Sequence, residues 1–211
     1  MKDQILYIFD PLCGWCYGFS QTIYDFYKAH SENLDFVPIV GGMVTGDRIG
    51  PAAKMYDYIS GAIPRLEQTT GCKVTQTYLE VILSSQEVIM NSEPPCRAVV
   101  AFRSIKPDQS MTFVKALQYA HYGLGRDYNL DSTYASLLAQ FDVSEQAFFS
   151  AYESKEILDI TVNEFDWVQK AGVRGFPATV LKQGDQYTML ASGYTSIEQL
   201  NSTLQKVLTT A

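Results

Sequence analysis

The sequence has few of the residues from which several common kinds of site are built. Its 211 residues include only four cysteines and two histidines. The formal net charge is −7, and lysine and arginine form no block. This charge balance argues against nucleic acid or an anionic membrane surface as the main partner. Since no apolar run approaches the length that crosses a bilayer, we also expect no membrane-spanning segment.

The start of the chain has little in common with a secretory signal. Only the residues from Met1 to Gln4 precede the first predicted strand, which is itself five residues long. This segment is too short to contain the apolar core of a signal peptide and its cleavage site. We therefore expect a cytoplasmic protein. In that reducing compartment the cysteines are expected to be thiols or catalytic groups rather than a disulfide framework.

The most informative segment that is present runs from Asp10 to Phe19 and contains a CxxC motif. It follows a β-branched and aromatic strand predicted over 5–9 and begins a helix predicted over 14–30. Cys13 therefore lies where the first helical N–H groups have no partner and the helix dipole is positive, which favours a thiolate. Cys16 lies one turn later on the same face, where it can attack a mixed disulfide formed at Cys13. The motif predicts a dithiol redox site.

A CxxC motif also occurs in zinc sites and as a pair of buried, unreactive cysteines. A zinc site usually adds a second CxxC or a CxxH pair, whereas Cys72, Cys96, His30 and His121 are each isolated in the sequence. We therefore expect no metal site. The strand-to-helix position of the motif argues against a pair of unreactive cysteines, because redox chemistry requires that position.

The predicted strands fall into two groups at the two ends of the chain. Strands over 5–9 and 34–40 flank the first helix, so we expect them to pair in parallel. Pro38 cannot donate to a strand ladder and places the second strand at an edge of the sheet. Strands over 178–182 and 187–191 are separated by a turn and are expected to form an antiparallel hairpin.

Helical periodicity dominates the region between these two groups. A weak helix is expected to be interrupted near Gly61 and Pro64, and Ser92 is expected to cap the N-terminus of a stronger one. Because this region is too regular to be a loop, we predict an inserted helical domain at residues 43–155. Residues 1–42 and 156–211 then form a single α/β domain.

This order of elements resembles a thioredoxin fold with an inserted all-helical domain, as in the DsbA-like oxidoreductases. The CxxC motif after the first strand and the run Gly175–Pro177 before the third carry the resemblance. More narrowly, the run Asp10–Tyr17 is similar to the FrnE branch of predicted protein-disulfide isomerases. That branch is related to 2-hydroxychromene-2-carboxylate isomerases and to kappa-class glutathione transferases.

The resemblance implies roles for five residues. Cys13 attacks or is attacked, and Cys16 resolves the mixed disulfide. Pro177 follows a cis peptide bond and packs against the dithiol, and Phe176 presents backbone groups to a bound peptide or thiol. Trp15, between the two cysteines, joins Phe176 and Pro177 in the expected substrate-binding group.

Three positions depart from the family pattern or lie outside it. The family places a buried acid six residues before the first cysteine, where this chain has Tyr7. Asp10 is a candidate auxiliary acid, or simply a turn residue before Pro11. Cys96, at the start of a predicted helix, is either a cleft-facing thiol that exchanges with Cys13 or accepts glutathione, or a small apolar filler in the core.

From these residues we predict a thiol–disulfide oxidoreductase or protein-disulfide isomerase that acts on protein or small-molecule thiols and disulfides. It is expected to need no cofactor, and glutathione is a candidate thiol partner. One alternative is a glutathione-dependent transferase or isomerase of the kappa or 2-hydroxychromene-2-carboxylate isomerase type, in which Cys13 activates a thiol. Related enzymes of that type replace the first cysteine with serine, so the retained pair favours dithiol chemistry. The other alternative is a non-catalytic thioredoxin-like binding module. The sequence leaves the oligomeric state open.

Overall fold

The computed structural model describes residues 2–210 and has a thioredoxin-like sheet surrounded by helices. The strands are β1 (Gln4–Phe9), β2 (Asp35–Val40), β3 (Gly50–Pro51), β4 (Ile89–Met90), β5 (Ala178–Gln183) and β6 (Gln186–Ser192). The helices are α1 (Gly14–His30), α2 (Tyr56–Thr70), α3 (Glu93–Ile105), α4 (Ser110–Tyr122), α5 (Asp131–Leu138), α6 (Glu145–Tyr152), α7 (Lys155–Lys170) and α8 (Ile197–Thr210).

The central sheet has the strand order β2-β1-β5-β6. β1 pairs in parallel with β2 and antiparallel with β5, and β5 and β6 form a hairpin, so the predicted pairings are confirmed. β1 is apolar on both faces because both faces are covered. Tyr7 and Phe9 pack into the larger core with α1, whereas Leu6 and Ile8 pack into a smaller core with Val168 of α7.

β2 lies at the edge of the sheet, as Pro38 predicts. Two of its outward-facing backbone groups bind side chains instead of another strand. The Val40 amide donates to Glu164 Oε2 at 2.9 Å, and the Arg103 guanidinium donates to the Pro38 carbonyl oxygen. Arg103 also forms an ion pair with Glu164. Helices α3 and α7 therefore cover this edge together.

The region from 43 to 155 is largely helical, in agreement with its periodicity. The predicted interruption near Gly61 and Pro64 is wrong, because α2 runs through both. Packing of the inner face of α2, which includes the buried Leu66, outweighs the backbone hydrogen bond that proline removes. The short ladder of β3 and β4 was not expected, since two-residue strands leave no periodic signal.

The α/β part and the helical region share one continuous hydrophobic core, to which Phe19 of α1, Phe113 of α4 and Leu204 of α8 all belong. A division into separate domains at 42 and 155 therefore stays a prediction. Across residues 2–210, no helix combines the length and the apolar character needed to cross a membrane.

Candidate active site

Cys13 is the N-cap residue of α1, between the end of β1 and the first helical turn. Its backbone is extended (φ −86°, ψ 112°), and its carbonyl oxygen accepts hydrogen bonds from the amides of Cys16 at 3.0 Å and Tyr17 at 3.1 Å. The predicted strand-to-helix position is confirmed. All four cysteines of the chain lie within the described residues and are free thiols here.

The two cysteines of the motif differ in their access to solvent. Cys13 is 6% exposed and lines a cleft, whereas Cys16 is fully buried. Burial raises the pKa of the Cys16 thiol well above its ordinary value, and the neighbouring Cys13 raises it further. Cys16 therefore stays a thiol under conditions in which an exposed cysteine ionises.

The loop before β5 brings Phe176 and Pro177 to the dithiol. The Phe176–Pro177 peptide bond is cis, which confirms the expectation from the family resemblance. The Phe176 carbonyl oxygen lies 3.7 Å from Cys13 Sγ, at the distance of a weak hydrogen bond from the thiol. Gly41, just after β2, makes room for the Phe176 ring, because a Cβ there would lie 2.1 Å from it.

A cleft of about 510 Å³ opens over Cys13, and we call it the dithiol cleft. One wall is the start of α1 with Trp15, and the other comes from the segment 43–63 of the helical region. Its lining is mostly apolar and includes Leu12, Met43, Ile49, Ile59, Leu66 and Tyr122. The charged residues of the lining are Asp47, Arg48 and Lys54, all exposed. No local pattern in the sequence marked these charges, since they come from short 3₁₀ turns.

Asp10 lies beneath the cleft and is fully buried. Oδ1 accepts hydrogen bonds from the Leu12 amide at 2.9 Å and the Ser92 hydroxyl at 3.0 Å, and Oδ2 accepts one from the Met43 amide at 2.6 Å. Burial raises the pKa of Asp10, although these hydrogen bonds oppose the shift. Asp10 thus ties the CxxC turn to the segment after β2 and to the start of α3.

Ser92 does not cap α3 in the way the sequence predicts. Its side chain accepts no hydrogen bond from that helix. Instead it accepts one from the Val44 amide at 2.8 Å and donates one to Asp10. The Ser92 proton goes to the buried carboxylate, and the Ser92 oxygen accepts from Val44, so the side chain is held away from the amides of the helix N-terminus.

Of the two interpretations of Cys96 that the sequence left open, the structure does not support the cleft-facing thiol, because Cys96 is not among the residues that line the cleft. Cys96 is fully buried and donates a long hydrogen bond of 3.8 Å to Asp10 Oδ2. Burial raises the pKa of its thiol well above the ordinary value, and the nearby Asp10 carboxylate adds to the shift. The alternative of a small core residue describes Cys96 better.

Tyr7 occupies the position where the family has an acid, directly behind Cys16. It is fully buried, and its hydroxyl donates to the Cys16 carbonyl oxygen at 3.4 Å. Gln118 of α4 lies next to it in the core, although nothing in the sequence marked this glutamine, which sits in an apolar helix face. Elsewhere in residues 2–210, no three His, Cys, Asp or Glu side chains come together in a way that could hold a metal ion.

Comparison with known proteins gives one family and several solved structures. The model of the DSBA-like thioredoxin domain matches residues 4–205. The putative protein disulfide isomerase from Nitrosomonas europaea is 28% identical, with a TM-score of 0.89 over 100% of this chain and 99% of that chain. No curated protein sequence matches the chain.

Two further structures are similar in fold alone. The cytosolic disulfide reductase DsbM from Pseudomonas aeruginosa is 24% identical, with a TM-score of 0.82 over 99% of this chain and 100% of that chain. That reductase has also been solved with GSH. A 2-hydroxychromene-2-carboxylate isomerase is 15% identical, with a TM-score of 0.63 over 97% of this chain and 94% of that chain.

Proposed function

This chain belongs to the DSBA-like thioredoxin domain family, and we propose that within it the protein is a thiol–disulfide oxidoreductase that acts through the Cys13–Gly14–Trp15–Cys16 dithiol. The unequal placement of the two sulfurs carries this proposal. Cys13 lines the dithiol cleft, whereas Cys16 lies one helical turn behind it in the core. A substrate sulfur that enters the cleft therefore meets Cys13 first.

Cys13 is the nucleophile of the proposed reaction. Its thiolate attacks one sulfur of a substrate disulfide, and the other substrate sulfur leaves with the electron pair. The Cys16 thiol then loses its proton and attacks the Cys13 sulfur, which releases the first substrate sulfur as a thiolate. The substrate is reduced by two electrons while the dithiol is oxidised to a disulfide. The same steps in reverse introduce a disulfide into a substrate dithiol. Isomerisation follows when another thiol of the substrate attacks a second substrate disulfide during the mixed-disulfide stage, and the substrate then releases Cys13 as a thiolate.

Trp15, Phe176 and Pro177 are the proposed substrate-binding residues. Trp15 lines the cleft together with Cys13. The Phe176 carbonyl oxygen lies 3.7 Å from Cys13 Sγ, and Pro177 is the next residue of the chain. The apolar lining of the cleft suits a hydrophobic group beside the substrate sulfur. Protein and small-molecule disulfides both meet this requirement.

We propose glutathione as the small thiol partner that recycles the dithiol, and no bound cofactor. The support is the pair of exposed cations in the cleft lining, Arg48 and Lys54, which suit the carboxylates of a small peptide thiol. The cytoplasmic location expected from the sequence stays a prediction.

The test is reduction of insulin disulfides by dithiothreitol with catalytic amounts of the protein. Cys13→Ser is expected to lose all acceleration, and Cys16→Ser is expected to accumulate mixed disulfides visible by mass spectrometry. Cys72→Ser is the matched control, because Cys72 is half-buried and does not line the cleft. Full insulin turnover by Cys16→Ser would contradict the dithiol mechanism.

The alternative enzyme, a glutathione-dependent transferase or isomerase, needs only Cys13. Turnover of a chromene carboxylic acid with glutathione, unchanged in Cys16→Ser, would favour it over the proposal. Failure of the wild-type protein to reduce or oxidise any model disulfide would favour a binding module instead.

A further inference from the structure

Two uncharged polar side chains, Tyr7 and Gln118, are buried on the core side of the dithiol. Both are 0% exposed. The Tyr7 hydroxyl donates to the Cys16 carbonyl oxygen at 3.4 Å. It also lies near enough to the Cys16 thiol for the thiol to raise the pKa of Tyr7. Gln118 enters from α4, which otherwise turns Val114 and Leu117 toward this core.

The buried position of Gln118 lowers the stability of the fold. Among residues 2–210, neither its amide nitrogen nor its amide oxygen has a hydrogen-bond partner. A buried amide without partners destabilises the fold relative to an apolar side chain of the same shape. Its amide is nevertheless close enough to the Tyr7 hydroxyl to influence the pKa of that group. The structure therefore places an amide with unused hydrogen-bonding capacity near the hydroxyl that contacts the backbone of Cys16.

We propose that the Tyr7 hydroxyl, oriented by the Gln118 amide, donates a hydrogen bond to the Cys16 sulfur as that sulfur becomes a thiolate in the resolving attack. The inference rests on the proposed dithiol function and assigns Gln118 as a positioning residue. In this step the Cys16 S–H bond breaks and the Cys16–Cys13 bond forms. The bond from Cys13 to the substrate sulfur breaks, and the departing thiolate takes up the proton. Tyr7 keeps its own proton throughout.

The physical state of Tyr7 suits this task. Burial raises the pKa of Tyr7 well above 10, and the two cysteines raise it further, so the hydroxyl remains a donor at every working pH. A hydrogen bond to a charged acceptor is worth about twice one between neutral groups. The bond to the Cys16 carbonyl oxygen is long, at 3.4 Å, which leaves the hydroxyl free to turn to the sulfur.

Other titratable groups also face Cys16 and act on its proton. Cys13 and Asp10 disfavour the thiolate by charge, while a hydrogen bond from the Asp10 backbone favours it. Tyr122 of α4 faces both cysteines. The Tyr7 hydroxyl approaches Cys16 from the sheet. Its removal in Tyr7→Phe therefore leaves Cys13, Asp10 and Tyr122 in place.

The experiment is a stopped-flow reaction of the reduced protein with dithiobis(nitrobenzoic acid). The first release of coloured thiolate reports attack by Cys13, and the second reports the resolving attack by Cys16. Both rates are measured between about pH 6 and pH 10, the range in which thiols titrate. In Tyr7→Phe we expect the second release to slow about tenfold at neutral pH and its midpoint to rise by about one pH unit. The first release should be unchanged.

Gln118→Leu tests the positioning role, with a smaller slowing of the second release expected. Tyr134→Phe is the matched control, because Tyr134 is similarly buried but its hydroxyl donates to Tyr128 in the helical region. If Tyr7→Phe fails to fold, Gln118→Leu is the deciding variant: slowing of the second release alone supports the inference, and an unchanged second release contradicts it. An unchanged second release in Tyr7→Phe, or equal slowing of both releases, would overturn the inference. Lack of a second release in the wild-type protein would instead contradict the proposed function.

Discussion

The two sides of the dithiol present opposite environments to two sulfurs that belong to one helical turn. On the cleft side, Cys13 meets apolar walls and exposed charged residues and can be reached from solvent. On the core side, Cys16 meets Tyr7 and the buried Asp10 network, and solvent does not reach it. The comparison shows that two cysteines one helical turn apart can differ in their access to solvent and in the groups that surround them. Each of the following changes would weaken or sharpen that difference.

Removal of the Asp10 carboxylate is expected to disrupt the core side most. In Asp10→Ala, the amides of Leu12 and Met43 and the Ser92 hydroxyl lose their acceptor. We expect the free energy of unfolding in urea to fall by about 3 kcal/mol, since each unpaired buried donor costs about 1–3 kcal/mol. Asp25→Ala, at an exposed carboxylate of α1, is the control and should change stability by less than about 0.5 kcal/mol. Equal losses in the two variants would contradict the network.

Alkylation measures the difference between the two sulfurs directly. Iodoacetamide is expected to label Cys13 about a hundredfold faster than Cys16 at neutral pH. That factor corresponds to a local opening of about 2.7 kcal/mol before the buried thiol can react. Mass spectrometry of Cys16→Ser and Cys13→Ser gives the two rates separately. Faster labelling of Cys16 would reverse the assigned roles.

Gly41→Ala is expected to disturb the cleft side without touching either cysteine. The new methyl group would overlap the Phe176 ring, so the loop beside Cys13 must move. We expect insulin reduction to slow about tenfold, because small displacements of positioning groups cost that much or more. Gly175→Ala is the control, since a Cβ at Gly175 has no neighbour within 4 Å and its φ is not positive. Equal activity of the two variants would show that the position of Phe176 does not matter.

The smallest expected effect is a change in the pH dependence of stability through Asp10. Burial raises its pKa above the ordinary 3.8, so between that value and the folded-state pKa the native protein holds a proton that the unfolded chain has lost. The contribution of Asp10 is therefore full at low pH and declines as pH rises through this window. Urea unfolding from about pH 4 to pH 7 should show a steeper decline for the wild-type protein than for Asp10→Asn. Parallel curves would mean that Asp10 titrates normally.

Sequence reasoning recovered what depends on neighbouring residues. The strand, the CxxC turn and the helix after it are local, and the single proline of β2 was enough to place that strand at the edge. The DsbA-like fold and its family are confirmed by the match over residues 4–205. The cis bond before Pro177 came from the resemblance and not from local pattern.

What the sequence missed depends on how α3 and α4 pack against the sheet and α1. Ser92 and Cys96 reach Asp10 across 82 and 86 positions of the chain, and a cap-like serine gives no sign of such a distant acceptor. Gln118 looked like one polar residue in an apolar helix. Its closeness to Tyr7 of β1 depends on how α4 packs into the core that it shares with the sheet.

The covered edge of β2 limits how the protein can hold a polypeptide. Many proteins bind an extended peptide by adding it as a strand to an open sheet edge, where unpaired backbone groups serve as a template. Here Pro38 contributes no N–H, its carbonyl oxygen is bound by Arg103, and the Val40 amide is bound by Glu164. An extended peptide therefore finds neither the Pro38 carbonyl oxygen nor the Val40 amide free for strand pairing at this edge. The same cover opposes sheet-to-sheet aggregation of the protein with itself.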